Sequence, residues 1–290
     1  MMFDDLKEKI YKDKPFSDIL NIVNIERLDD CKDSEFDLKL RYYGVPLQIQ
    51  DSNGKFYKIR AKPSTGEAKK NERLIRLIPD ILPKFYGRDR NYLLFDFLQG
   101  RTSAENENPD ILFKIGKICG QVNRLKAKGN KKQELEESYC QKINYFFENG
   151  KISLRDCRRT LRIYKKLIMK IKYEVVLGFN DIRKSNFMIG LQDKLYFVDE
   201  DGIEYNIKGY SFDNIMLRLY FPHVPHESSE KYIKTFILGY NSVNSLNFLN
   251  EEYMRLLNFL FLIDNALYLL NMGKINGLES QLRRLLRLEW

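Results

Sequence analysis

Leu177-Gly178-Phe179-Asn180-Asp181-Ile182-Arg183-Lys184-Ser185-Asn186-Phe187 holds the densest chemistry in this chain of 290 residues. The apolar, β-branched run Tyr173 to Leu177 before it reads as a strand, which places Asp181 in the loop that follows. Asn186 comes five residues later, at the entrance to a second strand. Asn186 to Val198 reads as a hairpin turning at Gln192-Asp193 and ending in Asp199-Glu200-Asp201. Asp181, Asn186 and Asp199 are therefore expected to converge at one end of a small sheet. Phosphoryl transfer from a nucleotide uses such a set: one carboxylate orients or deprotonates the acceptor hydroxyl, and an Asn and a second carboxylate hold Mg²⁺ on the phosphates. Three consecutive carboxylates repel one another, so Asp-Glu-Asp at a buried strand end calls for a cation.

Upstream, the first thirty residues read as helical, with Leu6, Ile10, Phe16, Ile19, Leu20 and Ile22 as an apolar stripe. Phe36, Leu38 and Leu40 alternate with charged residues as a strand does. Val45 to Gln50 and Lys55 to Ala61 are extended runs flanking Asp51-Ser52-Asn53-Gly54, a tight hairpin turn. Glu67 to Ile78 is a helix ended by Pro79, and Lys84 to Tyr86 and Tyr92 to Phe97 are short strands. After a linker near 97–109, helices are expected over Ile111 to Lys126, Gln133 to Phe147 and Leu154 to Lys172, and again from Phe212 to Trp290. This is an α+β chain in two lobes: an N-terminal lobe, 1–97, with a small antiparallel sheet and a helix, and a larger, mostly helical lobe, 98–290. A hinge falls at 94–100, and the cleft between lobes is the expected ligand site.

Composition narrows the chemistry. Hydrophobic residues make up 43% of the chain, which excludes a disordered tail or a collagen-like repeat. Four cysteines, Cys31, Cys119, Cys140 and Cys157, lie far apart, suggesting neither a zinc site nor a disulfide framework. The only histidines, His223 and His226, sit in Pro-His-Val-Pro-His, where the prolines spoil a helical ligand face. Scarcity of His disfavours a Ser-His-Asp hydrolase, so carboxylates must carry the chemistry. The N-terminus lacks the layout of a signal peptide, and Leu256 to Leu270, broken by Asp264 and Asn265, reads as too short to cross a bilayer. A cytoplasmic protein without a transmembrane segment is expected.

The segment from Phe179 to Asp201 resembles the catalytic loop of the aminoglycoside phosphotransferase and choline/ethanolamine kinase families. Their pattern runs His-Asn-Asp or His-Gly-Asp, four residues, Asn, then a strand and Asp-Phe-Glu. Tyr205 to Asp213 is similar to the choline kinase run that follows the metal-binding Asp. The resemblance covers 35–215 and implies a kinase-like fold and an alcohol-accepting phosphotransferase using ATP and Mg²⁺. It implies a catalytic loop at 179–186 with Asp181 as catalytic base, and a metal segment at 199–201 with Asn186 and Asp199 as ligands. Arg60, with Lys62 as the alternative on the same strand face, would contact phosphate, and Glu72 would pair with Arg60. Tyr92 to Gly100 looks like the strand that receives adenine, with Phe95 and Phe97 on it. Phe179 stands in place of the family His, and Asp201 in place of the Glu of Asp-Phe-Glu. Tyr43-Gly44-Val45 is the nearest candidate for a Gly-rich phosphate loop.

The implied acceptor is a hydroxyl of an amino alcohol of choline or ethanolamine type, or of a sugar or amino sugar. Asp201, Tyr205 and Asp213 are its candidate contacts, with Glu204 and Tyr210 beside them; carboxylates and aromatic faces suit an ammonium group. The formal charge is +9. Lys151 to Lys172 holds nine cations against Asp156 alone, so the charge is concentrated on one helix. That face suits an anionic acceptor or a membrane or envelope surface; nucleic acid ranks last, because no base-stacking module accompanies it. The alternative function is a catalytically silent kinase-like scaffold that docks through this helix.

Overall fold

The turn expected at Asp51 to Gly54 joins β2 (Pro46–Asp51) to β3 (Phe56–Ala61). Gly54 takes φ +79°, and the Asp51 carboxylate accepts from the Asn53 and Lys55 amides, both at 2.9 Å. That local bonding is what makes Asp a turn former. The structure is a computed structural model that describes residues 3–27, 46–103, 108–182, 184–210, 226–245 and 250–287. The expected strand at Phe36 to Leu40, the candidate loop at Tyr43 to Val45, and Asp213 lie outside those residues.

Contacts divide the chain into two units. The first comprises Met1–Asn106 and Lys184–Ile203, the second Glu107–Arg183 and Glu204–Trp290. This differs from a division at residue 97, because the segment 184–203 joins the N-terminal unit through strand pairing and charge.

In the first unit, α1 (Phe3–Asp13) precedes β1 (Ile22–Arg27), and α2 (Thr65–Ile75) follows β3. β4 (Phe85–Asp89) and β5 (Tyr92–Asp96) complete an antiparallel sheet of order β1-β2-β3-β5-β4. The helical reading of the first thirty residues is thus corrected at its second half. Lys14 and Phe16 have positive φ, 42° and 61°, on either side of Pro15. The helix stops there, and Ile22 to Arg27 pairs with β2. α2 is capped by Ser64, whose hydroxyl accepts from the Glu67 amide at 3.2 Å, and it ends at Ile75, short of Pro79. Leu6, Ile10, Leu20, Leu47, Ile59 and Leu94 form the core between α1 and the sheet. β6 (Arg101–Thr102), β8 (Phe187–Ile189) and β9 (Leu195–Phe197) form a second small sheet.

In the second unit, α3 (Pro109–Val122), α4 (Lys131–Glu148) and α5 (Leu154–Lys170) follow one another, close to their expected bounds. β7 (Val175–Phe179) pairs with β10 (Ile203–Ile207), a strand that the sequence pattern did not reveal. α6 (His226–Asn241), α7 (Glu251–Asn271) and α8 (Ile275–Arg287) end the chain. α7 corrects the reading of Leu256 to Leu270. Its 21 residues and mean hydropathy of 1.3 over the best window are enough, by length and composition, to cross a membrane. Here Leu256, Leu257, Phe259, Leu260, Leu262 and Ile263 are buried in the core of this unit.

Candidate active site

Side chains on β3 alternate between two environments, as a strand's must. Tyr57, Ile59 and Ala61 enter the core beneath α1. Lys58, Arg60 and, one residue past the strand, Lys62 share the opposite face, and all three are buried. They meet Asp199-Glu200-Asp201, in the 3-10 turn Glu200–Gly202 after β9 and the residue before it. Lys58 Nζ donates to Glu200 Oε1 at 2.6 Å and Oε2 at 2.9 Å. Arg60 lies 3.1 Å from Glu200, 3.1 Å from Asp201 and 3.5 Å from Asp199. Lys62 donates to Asp201, which Asn71 also reaches at 3.5 Å. The repulsion within Asp-Glu-Asp is therefore balanced by three cations from a single strand face.

The charges register this crowding. Burial pushes the Lys58 ammonium down to about 8 against the pull of Glu200. Burial, with Arg60 beside it, takes Lys62 down to about 8 as well. Burial alone would raise Glu200, yet Lys58 and Arg60 hold its carboxyl below the usual range.

Glu72 is not where the resemblance implies. Burial would raise its carboxyl, but Arg76 at 2.8 Å and Arg88 at 2.8 Å hold it low. Arg60 takes its acids from the 199–201 segment instead. Of the two expected adenine contacts, Phe95 is fully buried, opposite Lys58 in register and 5.0 Å from the Phe85 ring. It supports β3 from within the sheet. Phe97 is half-buried, its ring 6.2 Å from that of Phe56.

Asn186 and Asp199 are brought together by the β8–β9 hairpin. Phe187 pairs with Phe197, and the Val198 amide donates to the Asn186 carbonyl at 2.9 Å. Both residues thus stand at the open end of the hairpin, away from the turn where Gln192 and Asp193 take φ 60° and 55°. Both are half-exposed. Hard oxygen donors in this number fit Mg²⁺, which is commonly held by one or two carboxylates plus phosphate oxygens. Among the described residues, no cluster of three His, Cys, Asp or Glu side chains is arranged to hold a metal alone.

Asp181 belongs to the second unit and is half-buried, two residues beyond β7. β7 is fixed by Asn123, whose amide donates to the Leu177 carbonyl at 2.9 Å and whose Oδ1 accepts from the Tyr240 hydroxyl at 3.1 Å. Phe179, in place of the family His, is buried. Asn123, Gly178, Asn180, Asn206 and Tyr210 line a small pocket beside the strand. Tyr205 on β10 is partly buried against the core. Tyr210 is committed elsewhere: its hydroxyl donates to Asp264, as does that of Tyr139 at 2.6 Å, and Lys142 reaches the other oxygen at 2.6 Å. Sequence reasoning missed Lys58, Glu200 and Asp264. The alternation Lys58-x-Arg60-x-Lys62 against three consecutive acids was the legible signal for the first two.

A sheet whose central strand sets buried cations against an acidic hairpin end, with an Asp–four–Asn loop, has the parts that phosphoryl transfer by a kinase-like small-molecule phosphotransferase uses. Residues 74–258, more than half the chain, match the family model for choline/ethanolamine kinase. The chain belongs to the choline/ethanolamine kinase family, whose members are phosphotransferases acting on hydroxyl groups. Among solved structures, it is similar to the Plasmodium vivax ethanolamine kinase, with TM-score 0.62 and 16% identity over 90% of this chain and 81% of that one. The choline kinase LicA from Streptococcus pneumoniae gives TM-score 0.61 and 14% identity over 97% and 98% of the two chains. The amicoumacin kinase hAmiN, in complex with AMP-PNP, Ca²⁺ and Ami, gives 0.64 and 14% over 98% and 96%. These likenesses show a shared fold. A search of curated proteins found no match.

Proposed function

We propose that this chain is an ATP- and Mg²⁺-dependent kinase that transfers the γ-phosphoryl group to a hydroxyl of an amino alcohol, a sugar or an amino sugar. The observation that carries the proposal is the pairing of Asn186 and Asp199 at one hairpin end, beside three buried cations on β3 and just past it. The AMP-PNP and Ca²⁺ named in the amicoumacin kinase structure support a nucleotide with a divalent cation. Arg60 and Lys62 would hold phosphate oxygens, and Phe97 would pack on the base. Asn186 and Asp199 would hold Mg²⁺, which neutralises charge on the phosphates when bound. Asp181 would orient the acceptor hydroxyl and take its proton. Asp201, Tyr205 and Asp213 are the proposed acceptor contacts. Asp201 already serves Arg60 and Lys62, so it would tie the acceptor's position to that of the phosphates.

The test is thermal shift with Mg·ATP, followed by ADP release across amino alcohols, aminoglycosides and sugars. Nucleotide stabilisation with turnover of one acceptor class is expected; the absence of both would sink the proposal. Asp181→Ala should abolish turnover while retaining ATP binding, and unchanged turnover would show that the base is misassigned. A second reading, a silent scaffold, draws on the cationic outer face of α5, where Arg155, Arg158, Arg159, Arg162, Lys165 and Lys166 are exposed. Nucleotide stabilisation without turnover of any acceptor would favour it.

A further inference from the structure

Lys58 has three N–H donors, and all are used on the two residues that flank Asp199. Two reach the Glu200 oxygens, at 2.6 and 2.9 Å, and the third reaches the Val198 carbonyl at 2.7 Å. The Lys58 side chain is 9% exposed and that of Glu200 is fully buried. In the resembling motif an aromatic follows the metal-binding Asp, whereas here the next residue is Glu200. A buried carboxylate there demands a counter-charge, and Lys58, on the cationic face of β3, supplies it. With all three donors engaged, Lys58 has none left for a phosphate. The carboxylates of Asp199 and Asp201 both keep 31% exposure, on either side of the buried clamp.

We propose that Lys58 and Glu200 are positioning residues: their ion pair and the Lys58–Val198 bond fix the backbone on both sides of Asp199, holding its carboxylate ready for the divalent cation. This inference rests on the nucleotide-site reading above and adds to it how the backbone around Asp199 is held. Groups that hold a ligand residue from behind act through its orientation, so their loss shows in metal affinity more than in nucleotide contact.

The test uses the full chain and calorimetry of AMP-PNP binding with and without Mn²⁺. Replacing both partners, Lys58→Met with Glu200→Met, removes the clamp without leaving an unpaired buried charge, an exchange often neutral for stability. The double variant is expected to melt near the wild-type temperature and to bind metal-free AMP-PNP within about twofold of wild type. Its gain in affinity on adding Mn²⁺ should fall at least about tenfold. An unchanged gain would mean that the pair is only structural and would overturn the inference. Should the double variant not fold, Glu200→Gln decides: a metal-dependent gain reduced about threefold or more supports the clamp, and an unchanged one overturns it. Wild type that fails to bind AMP-PNP with Mn²⁺ would remove the nucleotide-site reading, and the clamp with it. Wild type that binds while the variants keep the full metal gain removes the clamp alone.

Discussion

Asp264 interrupts the apolar run of α7, and its partners explain why it is tolerated. Two tyrosine hydroxyls and the Lys142 ammonium converge on its carboxylate. Asp264→Ala would strand these donors, at a cost of about 2 kcal/mol or more in urea unfolding. Tyr139→Phe should cost about half as much, since the acceptor keeps two other donors. At the proposed phosphate site, Arg60→Met should weaken metal-free AMP-PNP binding about tenfold by calorimetry, in line with loss of a charged hydrogen-bonding partner. Residue type and spacing single out Asn186 and Asp199 as candidates, whereas Arg60 is singled out by the resemblance of its strand to that of the family. Glu72 is reached by Arg76, one turn away, and by Arg88, on β4, neighbours that the resemblance does not take into account.

At the scale of elements, α3 and α6 touch backbone to backbone. A Cβ on Gly116 would lie 2.1 Å from the Phe236 carbonyl oxygen, and one on Gly239 would lie 2.0 Å from that of Phe113. Gly239→Ala must push the helices apart, with an expected loss of about 1–3 kcal/mol measured by denaturant unfolding. The hairpins at 51–54 and 192–193 were legible because turn chemistry is local. β1 was not: Ile19, Leu20 and Ile22 suit a helical stripe, and only Pro15 with the positive φ angles around it ends the helix. β10 escaped for another reason. Ile203 to Ile207 is a short strand of mixed polarity, and it owes its form to pairing with β7, a partner distant in the chain.

For the whole molecule, tyrosine chemistry yields one expectation. Burial, then the charge of Asp264 nearby, raises the Tyr139 hydroxyl well above 10, aided by Tyr210; burial and Asp264 do the same for Tyr210. The folded chain keeps these protons after the unfolded chain has lost them. Stability should therefore fall as pH rises above 10, by about 1.4 kcal/mol per pH unit for each such tyrosine. Chemical unfolding at stepped pH measures the slope. A final consequence follows from the discontinuity of the first unit, which borrows residues 184–203 from far along the chain. During synthesis the ribosome delivers Lys58, Arg60 and Lys62 well over a hundred residues before the acids that neutralise them. A nascent N-terminal half thus carries all five strands of its sheet but a cationic strand face whose neutralising acids are not yet made. Limited proteolysis of stalled nascent chains should show full protection of this unit only once Asp201 has cleared the exit tunnel.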